Sequence, residues 1–254
     1  MFDAHTHVFP SCTEQEMLEG VVFCTSEESE WEGLCARMME MKAHMNEKRR
    51  FYLFPQFGVH PWFVEKASGQ WITHLEMVLA HACQENWKGA GVGEIGLDHF
   101  RLKNEKDWET QLFFFRTQME MAWKWNVPVS IHCVRCWDVL LSECRRMAKK
   151  RNLPEKIILH AYSAPQEMTR AFYDLGCYFS LSPAILDLKR KRLLQVVKTV
   201  PQERLFVETD RTPKQNMKTD EILMQVLQKV AITQNISEER LQKAIYENMT
   251  KIFL

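Results

Sequence analysis

The chain opens on "MFDAHTH", where Asp3, His5 and His7 recur at every second residue. Along a strand, residues two apart project to one face. Asp3, His5 and His7 therefore share a face, and Phe2, Ala4 and Thr6 take the other. A buried polar row of that kind is costly unless something binds it. Further stretches repeat the pattern. "QFGVH" aligns Gln56 with His60, "GVGEIGLD" aligns Glu94 with Asp98, and "VSIHC" aligns Ser130 with His132. "IILHAY" offers His160, and "LFVETD" aligns Glu208 with Asp210. Imidazole mixed with carboxylate suits zinc, manganese, iron or nickel, and one carboxylate can bridge two ions.

These residues need elements that bring them together. Short apolar runs read as strands at Phe2–His7, Gly20–Thr25, Tyr52–Val59, Gly89–Leu97, Val127–Cys133, Lys156–Ala161, Cys177–Leu181 and Arg204–Thr209. Helical spacing lies between them, as in Trp31, Leu34, Cys35, Met38, Met41 and Met45, or Leu112, Phe115, Met119, Ala122 and Trp123. Ser163–Glu167 and Pro213–Glu221 hold helix-start signals. Eight strands alternating with helices over 254 residues predict an α/β fold, a parallel (β/α)8 TIM barrel forming one domain over residues 1–254. A doubly wound open sheet would need a glycine-rich turn after the first strand, and "HTHVFP" is not one. Between His7 and Gly20 there is room only for a short helical turn, so the first βα connection is curtailed. The His and carboxylate positions fall near the strands' C-terminal ends, the end of such barrels that holds the active site.

Composition narrows the function. Lys+Arg and Asp+Glu are both 33, so nothing in the overall charge drives non-specific attraction to a polyanion, although a local basic patch could. No apolar run has the length of a membrane span, and the N-terminus lacks a signal-peptide pattern. Eight cysteines without framework spacing fit reduced thiols, so a cytoplasmic enzyme with no membrane association and no obligate protein partner is expected. Cys133 and Cys136 form a C-x-x-C, but Cys133 alternates away from His132 and should face the helix layer. "KRKR" at Lys189–Arg192 reads as a solvated helix face, and "RRMAKKR" at Arg145–Arg151 as the far end of a helix.

In "DAHTH", "FGVHPW", "GVGEIGLD", "PVSIHC", "LHAYS", "ETD" and "NMTKIF", spread from residue 3 to residue 253, the chain resembles the TatD-type metal-dependent hydrolases. The resemblance implies that His5 and His7, with Glu94 and Asp210, hold one divalent ion. Glu94 would bridge to a second ion held by His132 and His160. It further implies that zinc, magnesium or manganese serves, that Asp210 and Glu94 are catalytic, and that Asp210 takes the proton of the attacking water. Asp3, Asp98 and Glu208 are expected to accept the free ring N–H groups of ligand histidines, and His60 to touch substrate or a ligand carboxylate. Arg135 and Arg211 are the candidate phosphate contacts.

The implied activity is that of a phosphodiesterase or deoxyribonuclease, acting on single-stranded or nicked DNA. Hydrolysis of another ester or amide, such as the aminoacyl link of a mischarged tRNA, is the alternative on the same metals. A non-catalytic, metal-stabilised scaffold is the other. The chain departs from the family pattern at Ala164, where a glycine is usual, and at Arg211-Thr212-Pro213, one residue longer than usual after "ETD". Together with the short first connection, these changes bear on the pocket and leave the ligands in place.

Overall fold

Strands β1 (Phe2–Thr6), β2 (Gly20–Cys24), β3 (Tyr52–Gln56), β4 (Val92–Asp98), β5 (Val129–Val134), β6 (Ile157–Leu159), β7 (Tyr178–Leu181) and β8 (Leu205–Val207) run parallel in chain order. The computed structural model describes residues 1–11, 17–44, 51–102, 104–213 and 218–254. β1 to β3 form one ladder and β4 to β8 another. Two seams join them. At the first, Gln56 bridges to Gly91 and the Phe57 N–H donates to the Gly91 carbonyl at 2.9 Å. At the second, Thr6 bridges to Arg211 and the Asp210 N–H donates to the His5 carbonyl at 3.0 Å. The eight-stranded sheet so closes on itself, as a (β/α)8 barrel requires.

Helices α1 (Trp31–His44), α2 (Trp71–Gln84), α3 (Glu105–Trp125), α4 (Trp137–Lys149), α5 (Gln166–Asp174), α6 (Lys191–Thr199), α7 (Thr219–Gln234) and α8 (Glu238–Phe253) cover the outside. Local chemistry sets several of their ends. The Asn104 side chain accepts from the Asp107 N–H at 3.1 Å to start α3, and Ser237 accepts from Arg240 to start α8. Asn126 and Asn235, both left-handed, stop α3 and α7. Between β1 and β2, residues 7–11 and 17–19 contain no helix, and the rest of that connection lies outside the described residues. So do Met45 and residues 214–217 of the Pro213–Glu221 helix signal.

The core has two layers. Strand residues such as Ile131, Leu159 and Leu205 are fully buried and separate the sheet from the helices. Inside the barrel, Phe54 and Phe206 meet Phe2 and Phe253, with ring centroids 4.7–6.4 Å apart. The last helix thus delivers an aromatic plug one layer below Gln56 and Glu208. Cys133 and Cys136 are buried free thiols with sulfurs 3.7 Å apart. Among the described residues no helix is long and apolar enough to cross a membrane.

Several strands end earlier than their apolar runs predict. β1 stops at Thr6, with a register shift between Asp3 and Thr6, and β8 stops at Val207. His7, Glu208 and Asp210 consequently lie just past strand ends; hydrogen bonds of the second seam hold His7 and Asp210, and the Glu208 N–H continues the β7–β8 pairing by donating to the Leu181 carbonyl at 3.1 Å. The β4–β5 pairing sets Gly96 opposite His132, and a Cβ at Gly96 would collide with the His132 carbonyl. Gly96 also has φ +150°, which side-chain-bearing residues rarely adopt. Gly96→Ala should therefore cost about 3 kcal/mol in urea unfolding. Gly33→Ala, in α1 with open space around it, should instead gain about 0.5–1 kcal/mol.

Candidate metal centre

Glu94, on β4, is buried at the barrel mouth with histidines facing each of its oxygens. Oε2 lies 3.3 Å from His5 Nε2 and 3.2 Å from His7 Nε2. Oε1 lies 3.0 Å from His132 Nδ1, 3.3 Å from His160 Nε2 and 3.4 Å from His60 Nε2. Asp210, at the β8 end, groups with His5 and His7. All six residues expected as ligands lie at this mouth, and the four histidines among them divide between the two oxygens of Glu94.

The far nitrogen of each ring fixes what the near one presents. His7 Nδ1 donates to the Cys24 carbonyl at 2.8 Å, and His160 Nδ1 donates to Glu208 Oε1 at 2.9 Å. His132 Nε2 donates to Asp98 Oδ2 at 3.3 Å. Those acceptors carry no proton, so in the neutral ring the other nitrogen presents a lone pair to Glu94. His5 Nδ1 reaches the Ser130 hydroxyl at 3.2 Å, and its Nε2 lies 3.2 Å from His7 Nε2. His60 is the opposite case. Its Nδ1 accepts the Trp62 backbone N–H at 3.1 Å, which leaves an Nε2–H aimed at Glu94. His60 therefore aims an N–H at the carboxylate, while neutral His7, His132 and His160 offer it lone pairs and His5 turns its Nδ1 to a hydroxyl that can donate or accept.

Lone pairs packed against a carboxylate repel unless a positive charge lies between them. Donors bound ~2.0–2.1 Å from one ion are themselves ~3.0–3.4 Å apart, which is the spacing observed around Glu94. The donor set fits a divalent ion on each side of this carboxylate. Proton affinities follow the same electrostatics. For His160, burial lowers the pKa, but Glu208, Glu94 and Asp210 outweigh it and push it up to about 10. His7 and His132 also rise, because contact with Glu94, and for His132 with Asp98, overcomes burial. Burial wins at His5 and His60, both pulled down to about 4. Burial would raise Glu94, yet the charges of His60, His160 and His5 hold it well below the usual carboxylate range. A proton on these rings answers the same demand that a divalent cation would.

Asp98 and Glu208 each accept a histidine ring N–H, as expected for residues that fix tautomers. Asp3 does not. It is fully buried and accepts from the Thr209 N–H at 2.9 Å, the Thr209 hydroxyl at 2.7 Å and the His5 backbone N–H at 3.2 Å. Its work is to tie β1 to the segment carrying Glu208 and Asp210, because the register shift in β1 turns it from the ring of His5 to the neighbouring backbone. Arg211 donates Nη1 to Thr219 at 3.0 Å, which binds its guanidinium to the start of α7. Arg135 is exposed, with its guanidinium 4.4 Å from the centre of the Phe100 ring. Lys189–Arg192 are exposed at the start of α6, and Arg190 pairs with Asp187. Sequence reasoning missed Trp62, whose indole N–H donates to Asp98 at 2.6 Å, and the Cys24 carbonyl that orients His7. A tryptophan directly after the proline of "GVHPW" was the available signal for the first. A backbone acceptor leaves none.

Divalent ions should stabilise this fold by mass action. Protein stripped with chelator and given zinc or manganese at a hundredfold excess over Kd should gain about 2.7 kcal/mol, seen as a higher melting temperature. Glu94→Gln should abolish most of that shift.

The model of the TatD related DNase family matches residues 2–254. An uncharacterised metal-dependent hydrolase of Haemophilus influenzae is 23% identical over 79% of each chain. The 3'-5' ssDNA/RNA exonuclease TatD of Pantoea ananatis is 25% identical over 82% of this chain and 80% of its own. The human deoxyribonuclease TATDN3 is 24% identical over 82% of this chain and 77% of its own. Among solved structures, the Escherichia coli TatD homologue YjjV superposes with a TM-score of 0.80 at 20% identity, over 100% of this chain and 97% of that one. With Glu94 at the centre of a histidine-lined barrel mouth and a family match along its length, the chain belongs to the TatD family of metal-dependent hydrolases.

Proposed function

We propose that the protein hydrolyses phosphodiester bonds in nucleic acid, using two divalent ions at the Glu94 centre. The observation that carries this reading is the division of the donors between the two carboxylate oxygens, with Asp210 beside one group. His5, His7, Glu94 and Asp210 would hold one ion, and Glu94, His132 and His160 the other. Such a pair, when bound, acidifies water and neutralises phosphate oxygens. Four imidazoles with carboxylates favour zinc or manganese over magnesium, which prefers oxygen.

The chain's own residues supply the rest. Glu208, Asp98 and the Cys24 carbonyl lock the ring orientations. The seam hydrogen bond from the Asp210 N–H to His5 fixes the Asp210 backbone, whose φ is +48°. Its carboxylate lines an open cleft with a volume of about 360 Å³, where it accepts the proton of the attacking water. Cys24, buried behind His5, has its thiol pushed well above its ordinary pKa by burial, so it is no thiolate nucleophile. Relatives named as an exonuclease and a deoxyribonuclease support the phosphodiester over an acyl substrate.

The test is a panel of single-stranded DNA, RNA, a small phosphodiester and acyl substrates, each with zinc, manganese or magnesium. The expected result is hydrolysis of the phosphodiesters alone. Asp210→Asn should lower kcat by about 10²–10⁴-fold while the melting temperature changes little. Acyl hydrolysis without phosphodiester cleavage would transfer the centre to another bond. Undiminished turnover by Asp210→Asn would remove Asp210 as the base.

A further inference from the structure

The cleft has two unlike sides. On the side that follows β2, Glu27 and Glu30 line it. On the side that follows β3, β4 and β5 stand two exposed aromatic rings, each with an arginine over its face. Trp62 is 43% exposed, with the Arg101 guanidinium 3.6 Å from its ring centre. Phe100 is 61% exposed, with that of Arg135 at 4.4 Å.

Both aromatics are tied to one carboxylate. The Trp62 indole N–H donates to Asp98 Oδ2 at 2.6 Å, and the Phe100 backbone N–H donates to Asp98 Oδ1 at 2.8 Å. The same Asp98 accepts from His132, whose other nitrogen faces Glu94. The Trp62 ring and the Phe100 backbone are therefore both anchored to the carboxylate that orients His132. Single exposed aromatics are ordinary. Two on one rim, each capped by an arginine and geared to a ligand histidine, need a further reason.

We propose that Trp62 and Phe100, with Arg101 and Arg135, form a stacking platform for the unpaired bases of a nucleic-acid strand whose phosphate lies at the Glu94 centre. This rests on the phosphodiesterase reading. Unpaired bases stack on aromatic faces irrespective of sequence, whereas bases in a duplex already stack on one another. A base laid on Trp62 takes the place of the Arg101 guanidinium, which is then available to a backbone phosphate.

The experiment measures kcat/KM of the full chain, with manganese, on a single-stranded oligonucleotide and on one of equal length lacking its bases. The parent should prefer the base-bearing strand. In Trp62→Ala and in Phe100→Ala that preference should fall about 5- to 150-fold, mostly through KM. Trp62→Phe, which keeps a stacking face and loses the N–H to Asp98, should retain the preference to within about threefold of the parent. An unchanged preference in both alanine variants overturns the platform, as does a parent that cleaves both strands equally. Equal losses in Trp62→Phe and Trp62→Ala would make Trp62 a positioning residue acting through Asp98, which also overturns it. A parent that cleaves neither strand nor a small phosphodiester brings down the phosphodiesterase reading and the platform together.

Discussion

One buried carboxylate organises this protein. Four imidazoles face Glu94 at 3.0–3.3 Å, and a fifth presents an N–H at 3.4 Å. Such a cluster, desolvated and short of positive charge, is costly in isolation. It persists because every ring is fixed from behind, by an acceptor at His7, His132 and His160, by a hydroxyl at His5 and by a backbone N–H at His60. The balance is resolved by whatever cation the donors share.

The barrel is built to hold that geometry. The β8–β1 seam places Asp210 against His5, and Asp3 reinforces it by accepting two hydrogen bonds from Thr209 across the same junction. The β4–β5 ladder, drawn close by Gly96, sets the Glu94 and His132 distance. Below them, the Phe2, Phe54, Phe206 and Phe253 cluster fills the barrel and gives the polar layer a rigid floor. Trp62, Phe100 and Asp210 sit above that layer, on the connections that follow β3, β4 and β8.

Much of this was legible in the sequence because it rests on a period of two. Glu94 with Asp98 on β4, and His132 with Ser130 on β5, follow from alternation alone. His7, His160 and Glu208 were expected within strands, yet β1, β6 and β8 end before them, and seam hydrogen bonds hold His7 and Asp210. Asp3 was read by the same alternation, and the register shift redirected it from a histidine ring to Thr209. Ring tautomers were illegible for another reason. They depend on partners such as the Cys24 carbonyl and the Trp62 N–H, which have no side-chain signature. The two arginines expected to contact phosphate divided in a similar way. Arg211 is drawn to Thr219, while Arg135 stands over Phe100, and sequence spacing could not separate the two.

The most direct measurement is anomalous diffraction from crystals soaked in manganese or zinc. Two ions are expected, ~3.5–4 Å apart, one among His5, His7 and Asp210, the other between His132 and His160, with Glu94 bridging them. A single ion bound without Glu94, or ions held by His60 in place of His132 and His160, would contradict the two-sided centre.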